Sequence, residues 1–98
     1  MKISWSPLAV ERAAEIVDYI ALDKPSAAEN WINTVFSKVK ALEFAPEIGR
    51  IVPEIGNCQF RELIYGNYRI IYRLEQKRIS ILTIRHGTQI LPADEILV

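Results

Sequence analysis

Gln59-Phe60-Arg61-Glu62-Leu63-Ile64-Tyr65-Gly66-Asn67-Tyr68-Arg69-Ile70-Ile71-Tyr72-Arg73-Leu74 reads as two strands folded about a two-residue turn. Aromatic and β-branched residues crowd the run and its apolar period is close to two, which suits a pleated surface. Gly66-Asn67 supplies residues that tolerate positive φ, as a tight hairpin demands. Counting outward from the turn pairs 65 with 68 and, at the far end, 60 with 73. One face then shows Arg61, Leu63, Tyr65, Tyr68, Ile70 and Tyr72, and the other shows Phe60, Glu62, Ile64, Arg69, Ile71 and Arg73. The first face is the more apolar and is expected to carry the rest of the core. The second is expected to line an open groove.

Downstream, a turn at Glu75-Gln76-Lys77-Arg78 leads to a third strand, Ile79 to Arg85, and Pro92 ends regular structure. If that turn is also a two-residue loop, residue 69 pairs with 84 and His86 falls on the Arg69 face. A slip of one residue would reverse it. Upstream, residues 46–58 hold two prolines and two glycines and read as a linker loop with at most a short extended piece. Before it the period changes to that of helices. Ser6 stands at an N-cap with Pro7 at the first helical position, and Ala13, Ile16, Val17 and Ile20 form one stripe. Asp23 is the candidate cap of a second helix that starts near Pro25 and runs to about Phe44, with Ala28, Trp31, Ile32, Val35, Val39 and Leu42 inward. So short a connection predicts a helix hairpin. Met1–Trp5 is a candidate outer strand. The predicted fold is α+β: an N-terminal α-helical hairpin packed on one face of a small antiparallel β-sheet, as a single domain over residues 1–98.

The chain has 98 residues, half of them hydrophobic, which suffices for one core and leaves no room for separate cofactor and substrate lobes. No apolar run approaches the roughly 18 to 20 residues that span a bilayer, and the start lacks a secretion signal. No membrane partner and a cytoplasmic location are expected. A single Cys58 and a single His86 give neither an internal disulfide nor a closed zinc site, so no metal or cofactor is expected. Net charge is zero, yet residues 1–48 carry −2 and residues 49–98 carry +2, with six of the seven arginines in the second half. Arginine grips phosphate or carboxylate at two points, which marks that half as the working end.

Four pieces together resemble the RelE/ParE superfamily of toxins from type II toxin–antitoxin, or plasmid stabilisation, systems. They are Trp5-Ser6-Pro7 before the first helix, Pro46 with Gly49-Arg50, Arg61-Glu62 followed by Gly66-Asn67-Tyr68-Arg69-Ile70-Ile71-Tyr72-Arg73, and Arg85-His86-Gly87 after the last strand. The resemblance implies one of two activities. RelE-like members are metal-independent mRNA interferases acting at the ribosome; ParE-like members bind and poison DNA gyrase. Either kind has a cognate antitoxin protein.

Metal-free RNA cleavage needs a group to take the 2′-hydroxyl proton, cations for the phosphate and a proton donor for the leaving oxygen. In a RelE-like reading Arg69 clamps phosphate and His86 carries the proton, and these are the two candidate catalytic residues. Arg69 has an equally good structural reading, a cross-strand ion pair with Glu62 diagonal on its face. His86 reads more readily as a surface or packing residue. Where RelE-like nucleases carry basic residues this chain has Phe60 and Glu62, and after the last strand it has Gly87-Thr88-Gln89. These departures favour the ParE-like branch, and hence a binder over an enzyme. The candidate target-binding residues are then Arg61, Glu62, Arg69, Arg73 and Arg85. Arg50 has two open readings, at a helix end or against a partner, while Arg73, Lys77 and Arg78 read as a solvated turn. The expected partners are the antitoxin and DNA gyrase, with ribosome and mRNA as the alternative. The antitoxin's apolar, acidic-flanked tail is expected to lie along the helix pair and the sheet.

Overall fold

The computed structural model describes residues 1–87. The expectation that Pro92 ends regular structure, and the comparison made at Thr88-Gln89, lie outside the described residues. Strand β1 (Lys2–Trp5) leads into helices α1 (Pro7–Asp23) and α2 (Pro25–Lys40), and a 3₁₀ turn, Ala41–Glu43, follows. Strands β2 (Arg50–Ile51), β3 (Phe60–Tyr65), β4 (Tyr68–Leu74) and β5 (Arg78–His86) complete a five-stranded sheet in the order β1-β5-β4-β3-β2. β1 lies parallel to β5 and the other pairings are antiparallel, so the outer strand makes the sheet mixed. Among the described residues no helix is long and apolar enough to cross a membrane.

The helices start where their chemistry permits. Ser6 Oγ accepts the Ala9 N–H at 3.0 Å and Pro7 fills a position whose N–H would have no partner. Asp23 does not cap the second helix. α1 runs through it, Lys24 alone joins the two helices, and Pro25 opens α2 without a side-chain cap.

β3 and β4 pair in the register counted from the turn, from Tyr65 opposite Tyr68 to Phe60 opposite Arg73. Of the two turn residues only Gly66 takes positive φ, +57°, as in a turn whose first central residue alone requires it. The second hairpin begins as a two-residue loop predicts, with Leu74 opposite Ile79 and Tyr72 opposite Ile81. A bulge at Leu82 then shifts the ladder, so that Ile71 faces Thr83, Arg69 faces Arg85 and Tyr68 faces His86. The expected pairing of 69 with 84 is thus replaced, and His86 changes face. Ser6 secures the bulge: its Oγ donates to the Leu82 carbonyl at 2.8 Å and its N–H to Ile81 O at 2.9 Å.

The first hairpin face takes the helices. Ile70 and Tyr72 are fully buried among Ala9, Ala13, Trp31, Val35, Val39 and Leu42, with Leu63, Tyr65 and Tyr68 packed beside them. The opposite face is not an open groove. The segment after β2 folds over it, and Val52 and Ile55 close on Phe60, Ile71 and Leu82 as a second small core. Of the residues expected to line the groove, Phe60, Glu62, Arg69 and Ile71 are buried, and Ile64 alone is exposed. The expectation failed because an aperiodic loop rich in proline and glycine gives no sign of where it will lie.

Polar contacts pin that cover. The Gly49 N–H donates to Tyr72 Oη at 2.9 Å, and the same hydroxyl donates to Pro46 O at 2.9 Å. Burial pushes the Tyr72 phenol above its ordinary pKa and keeps that proton in place. Gly49 sits so close that a Cβ would lie 2.5 Å from Tyr72 Oη and 2.7 Å from Glu62 O. Gly49→Ala should therefore cost about 3 kcal/mol by overpacking. Tyr72→Phe should cost about 1–3 kcal/mol by leaving two backbone groups unpaired. Urea unfolding at unchanged m-value reads both.

Candidate functional site

Four charged side chains meet on the face opposite the helices. β2 pairs Arg50 with Glu62 of β3, and Arg69 of β4 lies on the diagonal, so the ladder itself brings three of them together. Glu62 accepts from Arg50 Nε at 2.5 Å and from Arg69 Nε at 2.6 Å, one guanidinium on each oxygen. The fourth member, Glu54, descends from the covering segment and takes the fork of Arg69, with Nη1 and Nη2 at 2.6 and 2.8 Å. The Glu62 side chain has no exposed area and that of Arg69 has 7 %, whereas Glu54 is 43 % and Arg50 60 % exposed. Two cations and two carboxylates thus form a chain that runs from the interior to solvent.

Such burial holds only if every charge is paired and hydrogen-bonded. Glu54 first, then Glu62, raises the pKa of Arg69 against the opposing cost of desolvation. The Arg69 hydrogen bonds hold the Glu54 carboxyl below its ordinary value. Arg85 stands directly across the ladder from Arg69, a like-charge juxtaposition that the two carboxylates offset.

The other candidates divide. Arg61 donates to the backbone carbonyls of Glu47, Gly49 and Cys58 at 3.0–3.2 Å and so staples the loop. Arg73 donates to Glu75, which also accepts from Arg78 at 2.8 Å and from Ser80 Oγ. These contacts, Arg78 foremost, hold the Glu75 carboxyl down at about 2. The expectation that His86 shares the Arg69 face is corrected by the bulge: its ring meets Tyr68 edge-on at 5.7 Å, on the side of the helices. At the sheet's end His86 and Arg69 nevertheless border one cleft of about 350 Å³, together with Arg50, Glu54, Ile64 and Asn67. Among the described residues no three His, Cys, Asp or Glu side chains gather to hold a metal ion.

Sequence reasoning did not find Glu54. Its partner lies 15 residues on, and nothing in the spacing signals the contact. It also left Arg50 undecided. A second feature, the outer groove of the helix hairpin, is apolar: Trp5, Val10, Ala13, Val17, Ile32 and Phe36 line about 540 Å³. Trp5 and Phe36 meet edge to face there at 5.5 Å.

Glu62→Gln should cost about 3–5 kcal/mol, because it removes the carboxylate that both guanidiniums share. Acid should weaken the fold through Glu54 and Glu75, whose carboxyls are lowered from 4.5. Their contribution is complete above the unfolded value and is lost as pH falls from about 4.5 toward 2. Glu75→Gln should flatten that loss in pH-dependent urea unfolding.

The family model for the ParE toxin of type II toxin–antitoxin system, parDE, matches residues 3–91. Among solved structures the chain is similar to one of a chromosomal ParDE TA system from P. aeruginosa, with TM-score 0.71 and 25% identity over 88% of this chain and 95% of that one. Comparison with curated proteins gave no match.

Proposed function

The chain belongs to the ParE toxin family of type II toxin–antitoxin systems, and from that membership we propose that it halts growth by binding DNA gyrase, while a cognate antitoxin blocks it. Membership in a toxin–antitoxin system implies the antitoxin; the gyrase target and the mode of contact are the proposal.

The observation that carries the binding reading is the state of Arg69. Its Nε and both terminal nitrogens are engaged by two carboxylates. A phosphate clamp would have to displace Glu54 and compete with a fully buried Glu62. His86 projects to the other side of the β4–β5 ladder, against Tyr68. Metal-free RNA cleavage asks for a free cation and a proton carrier aimed at one phosphate, and this arrangement supports it poorly. Binding asks only for shape, apolar anchors and rim charge, which the exposed Arg50 and the exposed Ile64 beside it supply.

The helix groove suits an antitoxin segment. It is walled by apolar side chains, and Val10 and Phe36 are about half exposed. An amphipathic helix with anchors at i, i+3 and i+4 fits such a trough. The chain works in the cytoplasm on this reading, where gyrase is.

The test is supercoiling of relaxed plasmid by purified gyrase with the chain added: inhibition without message cleavage in a translation extract is expected. Codon-positioned cuts in mRNA with supercoiling intact would reverse the reading. Val10→Asp, at an exposed groove position, should leave gyrase inhibition unchanged and weaken antitoxin protection at least about tenfold, since it sets a charge against an apolar anchor.

A further inference from the structure

We propose that the cleft between the covering segment and the tip of the first hairpin is a receptor for one acidic side chain followed by an aliphatic one, presented by a protein partner. The inference deepens the antitoxin reading and rests on it only for the source of the peptide.

The charge count within the cluster points there. Glu62 spends both oxygens on the Nε atoms of Arg50 and Arg69. Two guanidiniums share one buried carboxylate, and only Glu54 brings the group to neutrality. Glu54 comes from a loop and is 43 % exposed, so the balance is kept by a carboxylate at the solvent boundary. Its two-point contact with Arg69 displays the chemistry this wall accepts, a planar carboxylate on a guanidinium fork.

Arg50 repeats that offer outward. Among the described residues only its Nε is hydrogen-bonded, its side chain is 60 % exposed and it borders the cleft, which leaves the two terminal nitrogens for a ligand. Ile64, 49 % exposed, is the apolar shelf beside them, and Asn67 lies at the turn end of the same cleft. A carboxylate on the Arg50 fork with an aliphatic neighbour on Ile64 uses both. A phosphate backbone suits the cleft less well, because Glu54 stands at its edge with a charge that repels a string of anions, and the whole chain is neutral. Glu54 should therefore oppose the incoming acid, and its removal should strengthen binding.

Side-chain ¹⁵N–¹H spectra of the full chain, followed at Arg50 Nε and the Asn67 amide, test this with three probes: acetyl-Glu-Leu-amide, acetyl-Gln-Leu-amide and inorganic phosphate. Saturable shifts with the Glu-Leu probe alone are expected. They should vanish in Arg50→Gln and tighten about five- to tenfold in Glu54→Gln, the effect of removing one nearby charge in a hydrated site. Ile64→Ser, at an exposed position, should weaken binding of the Glu-Leu probe. Equal response to Gln-Leu, indifference to Arg50→Gln, or tighter binding of phosphate than of Glu-Leu would each overturn the proposal. None of these results depends on the helix groove, whose antitoxin role stands or falls with Val10→Asp.

Discussion

Glu62 is a carboxylate with no exposed area, and its two oxygens decide how the sheet is finished. One oxygen holds Arg50 and so fixes the two-residue edge strand; the other holds Arg69 and leaves its fork to Glu54. A buried charge with a single partner would be costly, and removing either arginine would leave Glu62 in that state. The three-residue ladder therefore draws the aperiodic loop down onto the sheet. Tyr72 works to the same end from the helix side, where its hydroxyl bridges Pro46 and Gly49. Together they turn a face that alternation alone would leave open into a second core.

That constraint explains which parts of the fold were legible. The hairpin from Phe60 to Leu74 follows from alternation and a Gly-Asn turn, and its register was countable residue by residue. Helix α1 was marked by Ser6-Pro7, and the apolar stripes of both helices by spacing. The cover was not legible, because Val52, Glu54 and Ile55 lie in a loop without period, and their contacts join residues distant in sequence. The face of His86 was not legible either. It turns on one extra residue at Leu82, and a bulge in a run such as Ile79-Ser80-Ile81-Leu82-Thr83-Ile84 leaves no local mark.

The placement of the site residues follows the same division. The Glu62–Arg69 pair could be drawn from the hairpin diagonal, since both ends lie on counted strands. Arg61 was expected at a target surface, and the structure puts it on the carbonyls of residues 47, 49 and 58. Arginine-rich sequence thus served architecture first: Arg61, Arg69 and Arg73 each have named partners within the chain. Among the described residues, the outward fork of Arg50, the shelf of Ile64 and the apolar helix groove stay available to another molecule. Those are features of recognition, the groove for the antitoxin among them.

Hydrogen exchange at the Arg69 Nε–H reports whether the arginine-bearing face is covered and neutralised from within. Exchange slowed to the rate of global or near-global opening is expected, with the Gly49 N–H protected alongside it. Exchange as fast as that of an exposed guanidinium, with Gly49 unprotected as well, would mean that the cover is loose and the face open, with the Glu62–Arg69–Glu54 chain no longer closing it.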